Sequence, residues 1–177
     1  MHKVLIAAMA LAALSVSASA RAEVVDAQSG GFEVRETVQI AAPPEKVYAA
    51  LGQIGRWWDS EHTFSRDANH LTFDPVAGGC FCESLPGGGS AVHMRVIYAA
   101  PGQALRLEGA LGPLQGLGGT GHLAWTLTAK AGGTELVQTY DFGGYAKGGF
   151  DGWATPVDRV LGQQEARLKN WVETGKP

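Results

Sequence analysis

The sequence predicts an α+β domain in which an antiparallel sheet with one apolar face is covered by a single long helix near the C-terminus. Three observations carry that expectation. From Phe32 onward apolar and polar residues alternate, which is the period of a strand with one buried face. Between Asp59 and Phe142 turn formers recur at short intervals and no helical period survives, so that stretch reads as antiparallel strands joined by tight turns. Beyond Thr155, Val157, Val160, Leu161, Leu168, Trp171 and Val172 fall on one face of a helix.

The elements follow in order. In the first strand Phe32, Val34, Val38 and Ile40 share one face while Glu33, Arg35, Thr37 and Gln39 share the other. Ala42-Pro43-Pro44-Glu45 then starts a short helix, with proline where its missing N–H costs nothing, and Val47, Ala50, Leu51 and Ile54 continue it at helical spacing. Gly52 and Gly55 weaken its end before Arg56-Trp57-Trp58-Asp59. Further strands are expected near 70–73, 79–85, 91–99, 104–110, 122–129 and 135–142, with turns at Pro86-Gly87-Gly88-Gly89 and Gly132-Gly133. The segment 111–121 is too rich in Gly and Pro for a strand or a stable helix and reads as a long loop. The final helix is expected over 156–173, with Thr155 as cap, Pro156 at its start and Gly175 and Pro177 beyond its end. Such a helix is about 27 Å long and crosses a whole sheet. Over a strongly curved sheet it leaves part of the hollow unfilled, which makes a cavity.

At the N-terminus Met1-His2-Lys3 precedes an apolar run from Val4 to Leu14 and then small residues ending in Ala18-Ser19-Ala20 and Ala20-Arg21-Ala22. This is the pattern of a cleaved signal peptide, 1–22, with cleavage after Ala22 preferred; the apolar run is shorter than the ~20 residues that span a bilayer. Residues 23–31 are expected to be a flexible approach to one domain over 32–175. The expected location is the periplasm or the outside of the cell, without stable membrane insertion. Removing 22 of 177 residues leaves 155, one ordinary domain, and takes the formal charge from −3 to −5. No run of Lys or Arg could track a phosphate backbone, so nucleic acid is not an expected partner. The only cysteines, Cys80 and Cys82, flank Phe81 in an expected strand. There their Cβ atoms would lie roughly 6.5 to 7 Å apart, so two free thiols are expected unless a bulge at Gly78-Gly79 allows a bridge.

The run Val38 to Tyr48 with its Ala42-Pro43-Pro44-Glu45 core, the Arg56-Trp57-Trp58 that follows, the Gly78-Gly79-x-Phe81 strand opening and the closing helix resemble the SRPBCC, or helix-grip, superfamily. The resemblance is nearest to its bacterial polyketide-cyclase and heat-shock-ATPase-activator-like members, and START-like and birch-pollen-allergen-like domains share the fold. It implies a curved antiparallel sheet wrapped around the long C-terminal helix, a short helical segment after the first strand, and a cavity for an apolar or amphipathic small molecule. Catalysis would belong only to some branches.

Candidate catalytic residues are Glu36, which interrupts the apolar face between Val34 and Val38, together with Glu83, His93 and Tyr140. Hairpin counting puts Cys82 opposite His93 or Met94. A Cys-x-Cys beside a His suggests zinc or copper(I), but no fourth ligand and no loop-borne spacing accompany it, so no metal is assigned. A thiolate nucleophile on the same residues lacks any oxyanion donor. Residues 143–149 match no phosphate-loop spacing and read as a mobile lid. The expected ligand contacts are Trp57, Trp58, Phe64, Cys82, Met94, Leu107, Trp125 and Tyr140.

The leading expectation is an exported binding or carrier domain for a hydrophobic or amphipathic small molecule, needing no cofactor, rather than an enzyme. The first alternative is a cyclase or dehydratase acting on a bound carbonyl compound, which requires two of the candidate groups to converge inside the cavity. The second is an envelope protein-interaction module using the loop 111–121 and the exposed sheet edge.

Overall fold

The chain is described by a computed structural model over residues 21–177. Its strands are β1 (Arg21–Gln28), β2 (Gly31–Ile40), β3 (Leu71–Phe73), β4 (Cys80–Ser84), β5 (Ser90–Ala100), β6 (Ala104–Gly109), β7 (Gly118–Lys130) and β8 (Gly133–Tyr145); its helices are α1 (Pro44–Leu51), α2 (Ile54–Trp57) and α3 (Ala154–Thr174). The strands form one antiparallel sheet of eight in the order β1-β2-β8-β7-β6-β5-β4-β3. The alternation from Phe32 becomes β2, whose Phe32, Val34, Glu36, Val38 and Ile40 are all buried on the inner face. Phe142, Tyr140, Gln138, Leu136 and Thr134 of β8 stand directly opposite them. Helix α3 crosses this face and buries Leu161, Leu168 and Val172. Gly175 ends it in the left-handed conformation, with its N–H on the Trp171 carbonyl.

Five local expectations are corrected. Residues 23–31, expected as a flexible approach, are largely occupied by β1, which pairs with β2 from Arg21 opposite Thr37 to Gln28 opposite Gly31. The register slips between Val24 and Asp26, leaving Val25 as a bulge. One extra residue places two valines side by side and erases the period of two by which a strand is read. The signal peptide expected over 1–22 lies outside the described residues except for Arg21 and Ala22, which open β1.

The loop expected over 111–121 is shorter than foreseen. A 3-10 turn occupies Gly112–Gly116, and Gly118–Gly121 already belongs to β7, opposite β8. At Gly119 and Gly121 both the β8 backbone and aromatic rings leave no room for a side chain: a Cβ would lie 2.6 Å from the Gly143 carbonyl oxygen and closer still to that of Asp141, respectively. A Cβ on Gly119 would sit 2.7 Å from Phe142 Cε1, and one on Gly121 2.9 Å from Tyr140 Cε2.

Residues 143–149, expected as a mobile lid, begin as the end of β8, with Gly143 and Gly144 paired to Thr120 and Gly119. The next turn is tied to the β1–β2 connection, where the Phe150 N–H donates to the Ser29 carbonyl. In α3, Trp153 occupies the cap position without a side-chain bond and Thr155 lies inside the first turn.

Cys80 and Cys82 are joined in a disulfide with their Cα atoms 5.4 Å apart, so the expectation of free thiols is overturned. An extended strand would hold them ~6.6 Å apart. The shortening accompanies a bulge, but in β5 and not at Gly78-Gly79: Phe81 faces Met94, Cys82 faces Val92, and His93 is the extra residue. Val92 is consequently exposed while His93 and Met94 are both buried.

Candidate functional site

A cavity of about 280 Å³ lies between the N-terminal half of α3 and the β3–β5 end of the sheet. Trp153, Pro156, Val157, Val160 and Leu161 form its helix side; Leu71, Phe81 and His93 form its sheet side. Trp58, Thr63 and Phe64 close it from the segment after α2, and Leu111–Leu114 close it from the 3-10 turn before β7. The lining is apolar and aromatic except at His93 and near Glu61, His62 and Thr63.

The bulge in β5 turns His93 inward, and Glu83 of β4 meets it. Glu83 Oε2 lies 2.9 Å from His93 Nε2, with the two residues 1 % and 5 % exposed. Gln115 Nε2 lies 3.2 Å from His93 Nδ1 and 3.1 Å from the Val92 carbonyl oxygen. Only one tautomer serves both contacts: Nε2–H donates to the carboxylate, and Nδ1 accepts from the Gln115 amide. Glu83 also accepts the Phe64 N–H at 3.1 Å and the Ser65 N–H at 2.5 Å. Burial pushes the Glu83 carboxyl up, but the Ser65, Phe64 and His93 donors together outweigh it, so the group is held below the usual carboxylate range. For His93 burial dominates over the attraction of Glu83 and holds the imidazole below its ordinary value, hence neutral at pH 7. Phe64 stacks on the imidazole at 5.5 Å and Phe81 meets it at 4.9 Å, which leaves the ring little freedom to turn.

A second polar group lies under the middle of α3. Glu36, Gln138 and Trp125 stand in one row across β2, β8 and β7, and Asp158, Gln164 and Glu165 come from the helix. Trp125 Nε1 donates to Glu165 Oε1 at 2.9 Å, and the Asp59 N–H donates to Gln164 Oε1 at 2.8 Å. Glu36 Oε1, Gln138 Nε2, Asp158 Oδ1, Gln164 Nε2 and Glu165 Oε2 are buried without a hydrogen-bond partner. Burial first, then the neighbouring carboxylates of Asp158 and Glu165, pushes Glu36 up to about 9. Burial pushes Glu165 up to about 7 against the Trp125 hydrogen bond, which lowers it.

Of the residues expected at the ligand, Trp58 and Phe64 line the cavity. Trp57 packs in the core and donates Nε1–H to the Ala50 carbonyl at 2.8 Å. Met94, Leu107 and Trp125 are fully covered core residues that do not reach the cavity. Tyr140 is buried behind the wall, where its hydroxyl accepts the Leu111 N–H at 3.3 Å and burial pushes its phenol up. Cys82 sits with Cys80 on the outer face, bonded and turned away from His93, which removes both the Cys-His metal arrangement and the thiolate nucleophile. Among the candidate catalytic groups the fold therefore unites Glu83 with His93 and keeps Glu36 and Tyr140 apart from them. The cavity residues missed in the sequence, above all Leu111, Leu114, Trp153, Val157 and Leu161, come from segments whose inward turn depends on where α3 lies. Among the described residues, no three His, Cys, Asp or Glu side chains are grouped to hold a metal ion, and no helix is long and apolar enough to cross a membrane.

Solved structures share this architecture. Protein MLL2253 from Mesorhizobium loti is 23 % identical over 78 % of this chain and 94 % of its own, with a TM-score of 0.56. The Aha1 dimer from Colwellia psychrerythraea is 17 % identical over 82 % and 98 %, with a TM-score of 0.57. CalU16 from Micromonospora echinospora is 13 % identical over 89 % and 87 %, with a TM-score of 0.57. At such identities the likeness is one of fold. No curated protein matches the chain in sequence. The family described as polyketide cyclase / dehydrase and lipid transport matches residues 31–173, from the first residue of β2 almost to the end of α3, with β1 lying ahead of the matched span. Since that span holds the cavity, the Glu83–His93 pair and the helix that covers them, the chain belongs to this family of the SRPBCC superfamily.

Proposed function

We propose that the protein is an exported binding or carrier domain for a hydrophobic or amphipathic small molecule held between the sheet and α3. The observation that carries this reading is the cavity of about 280 Å³, walled by Trp58, Phe64, Phe81, Trp153, Val157 and Leu161, whose buried polar residue, His93, has both ring nitrogens already bonded. A volume near the lower end of the ~300–1,000 Å³ usual for ligand sites suits a molecule of one or two rings or a short acyl chain. Export is supported by the signal pattern of residues 1–22 and by the Cys80–Cys82 bond, a modification at home in oxidising compartments. The test is fluorescence titration with the neutral dye N-phenyl-1-naphthylamine, beside native mass spectrometry of freshly purified protein. We expect micromolar dye binding that Val157→Trp weakens by about tenfold or more by filling the cavity. Absence of dye binding together with absence of any retained molecule would overturn the reading.

The enzymatic alternative is favoured by one observation, the meeting of Glu83 and His93 at 2.9 Å on the cavity wall. If Gln115 gives way to a bound carbonyl compound, His93 Nδ1 becomes a base whose imidazolium Glu83 stabilises. This alternative requires His93→Ala to abolish turnover without weakening dye binding. Of the two supports of the protein-interaction alternative, the loop over 111–121 is shortened, because Leu111–Leu114 wall the cavity and Gly118–Gly121 belong to the sheet, whereas the sheet keeps its edges at β1 and β3.

A further inference from the structure

Glu36 does not line the cavity, and none of the readings above uses it. It is 3 % exposed, and Glu165 beside it is 1 % exposed. Glu36 Oε1, Asp158 Oδ1 and Glu165 Oε2 are all buried without a hydrogen-bond partner, and Glu36 shares its row with Trp125, whose Nε1–H donates to Glu165. Two carboxylates are acceptors only, so a hydrogen bond between them exists only while one carries a proton. Unpaired ionised carboxylates in such surroundings would be strongly disfavoured.

Among the described side chains, the surrounding elements present no positive charge towards this group. On the inner face β8 presents Gln138 and the Tyr140 phenol, and β7 presents Trp125. β1 places Glu23 and Asp26 opposite Arg35 and Glu33, on the outer face. In α3, Arg159 is exposed and Arg167 donates Nε–H to the Trp57 carbonyl. Asp59, after α2, reaches the group only through its N–H, and its own carboxylate accepts from the Glu61 N–H. The charges acting on Glu36 are those of Asp158 and Glu165, both negative.

Asp158 lies on the same helical stretch as Pro156, Val157, Val160 and Leu161, which wall the cavity. We propose that Glu36 and Glu165 form a proton-dependent clasp beneath α3: protonated, they hold α3 on the sheet and the cavity closed around its guest; ionised, they repel one another and the neighbouring Asp158, loosen the N-terminal half of α3 and release the guest. The clasp itself is independent of what the cavity binds, whereas the release step rests on the binding reading above.

Two readouts separate these. Amide hydrogen exchange along α3, corrected for intrinsic rates, follows the clasp without any ligand, and N-phenyl-1-naphthylamine follows the cavity. Between pH 6 and pH 9 we expect exchange over residues 154–165 to accelerate by about tenfold relative to the β7–β8 core, and dye affinity to fall by roughly threefold or more. Glu36→Gln, which cannot ionise, should abolish most of both changes, and Glu165→Gln should abolish part of them. Equal pH responses of exchange in the wild type and both variants would overturn the clasp. A pH-dependent exchange with pH-independent dye affinity would overturn the release step. If the dye binds at neither pH, it is the binding reading that fails, and exchange alone then decides the clasp.

Discussion

Glu83 and Glu36 are both glutamates on the inner face of the same sheet, 1 % and 3 % exposed, yet their acidities move in opposite directions. Glu83 lies towards the β3 edge, where the chain after α2 folds over it and offers the Phe64 and Ser65 N–H groups. Glu36 lies under α3. A helix spends its interior N–H groups on its own carbonyls, so it can offer a buried acid only side chains. Those it offers here are Asp158 and Glu165, which are acids themselves. Burial alone thus predicts neither behaviour; the supply of donors separates a fixed anion from a group that keeps its proton.

The most disruptive way to break the comparison is to remove Glu83. Glu83→Ala leaves two backbone N–H groups and His93 Nε2–H without their acceptor in a covered site. A loss of about 3–5 kcal/mol is expected from urea unfolding at pH 7, enough to leave a domain of this size marginal. A loss under ~1 kcal/mol would show that water replaces the carboxylate, and the contrast with Glu36 would then be one of exposure only.

The same operation on Glu36 carries the opposite sign. Glu36→Leu removes a buried acid that costs stability at neutral pH, and a gain of about 1–3 kcal/mol at pH 8 is expected. The direction follows from linkage. The folded-state value is raised to about 9 from 4.5, so stability is fully present below the ordinary carboxylate range and is lost as pH rises towards 9. Glu165, raised to about 7, adds a loss over the lower part of the same window. The advantage of Glu36→Leu should therefore shrink as the pH is lowered to about 5 and vanish or reverse there. Thermal unfolding of both proteins across this range tests the sign, and parallel curves would refute it.

Legibility in the sequence followed the regularity of the backbone. β2, β8 and α3 keep their periods, and all three were readable together with the helical break after β2 and the covering of one sheet face. β1 and β5 break theirs, at Val25 and at His93, and each bulge concealed something. The first hid a whole strand. The second hid the inward turn of His93 and hence its meeting with Glu83, although both had been singled out as candidate groups. It also accompanies the Cys80–Cys82 bond. The glycines of 118–121 suggest a loop, whereas Gly119 and Gly121 make room for the β8 backbone and the Tyr140 and Phe142 rings. Within the candidate site, facing inward was readable for Met94, Leu107, Trp125 and Tyr140, but lining a cavity was not. Whether an inward residue touches helix, neighbour or empty space is decided by the course of α3 and of Leu111–Leu114, which no local period encodes.

The gentlest test concerns Gln115, the exposed side chain that hydrogen-bonds to His93 in the Glu83 network. Gln115 closes the network by donating to His93 Nδ1 and to the Val92 carbonyl, so it fixes the tautomer and ties the 3-10 turn that walls the cavity. Because its side chain reaches water, Gln115→Ala should cost only about 0.5–1 kcal/mol. Its larger effect is on His93, whose Nδ1 loses the donor that occupied it and becomes free to accept a proton or a ligand hydrogen. The imidazole should then titrate closer to its ordinary value, since burial, which holds it down, is relieved where the amide has left. Nitrogen-15 NMR of the histidine ring reads this directly: Nε2 should stay protonated against Glu83 while the Nδ1 resonance moves. An unmoved Nδ1 resonance would mean that Glu83 alone sets the state of His93, and that the turn over the cavity is held by its backbone bonds rather than by this amide.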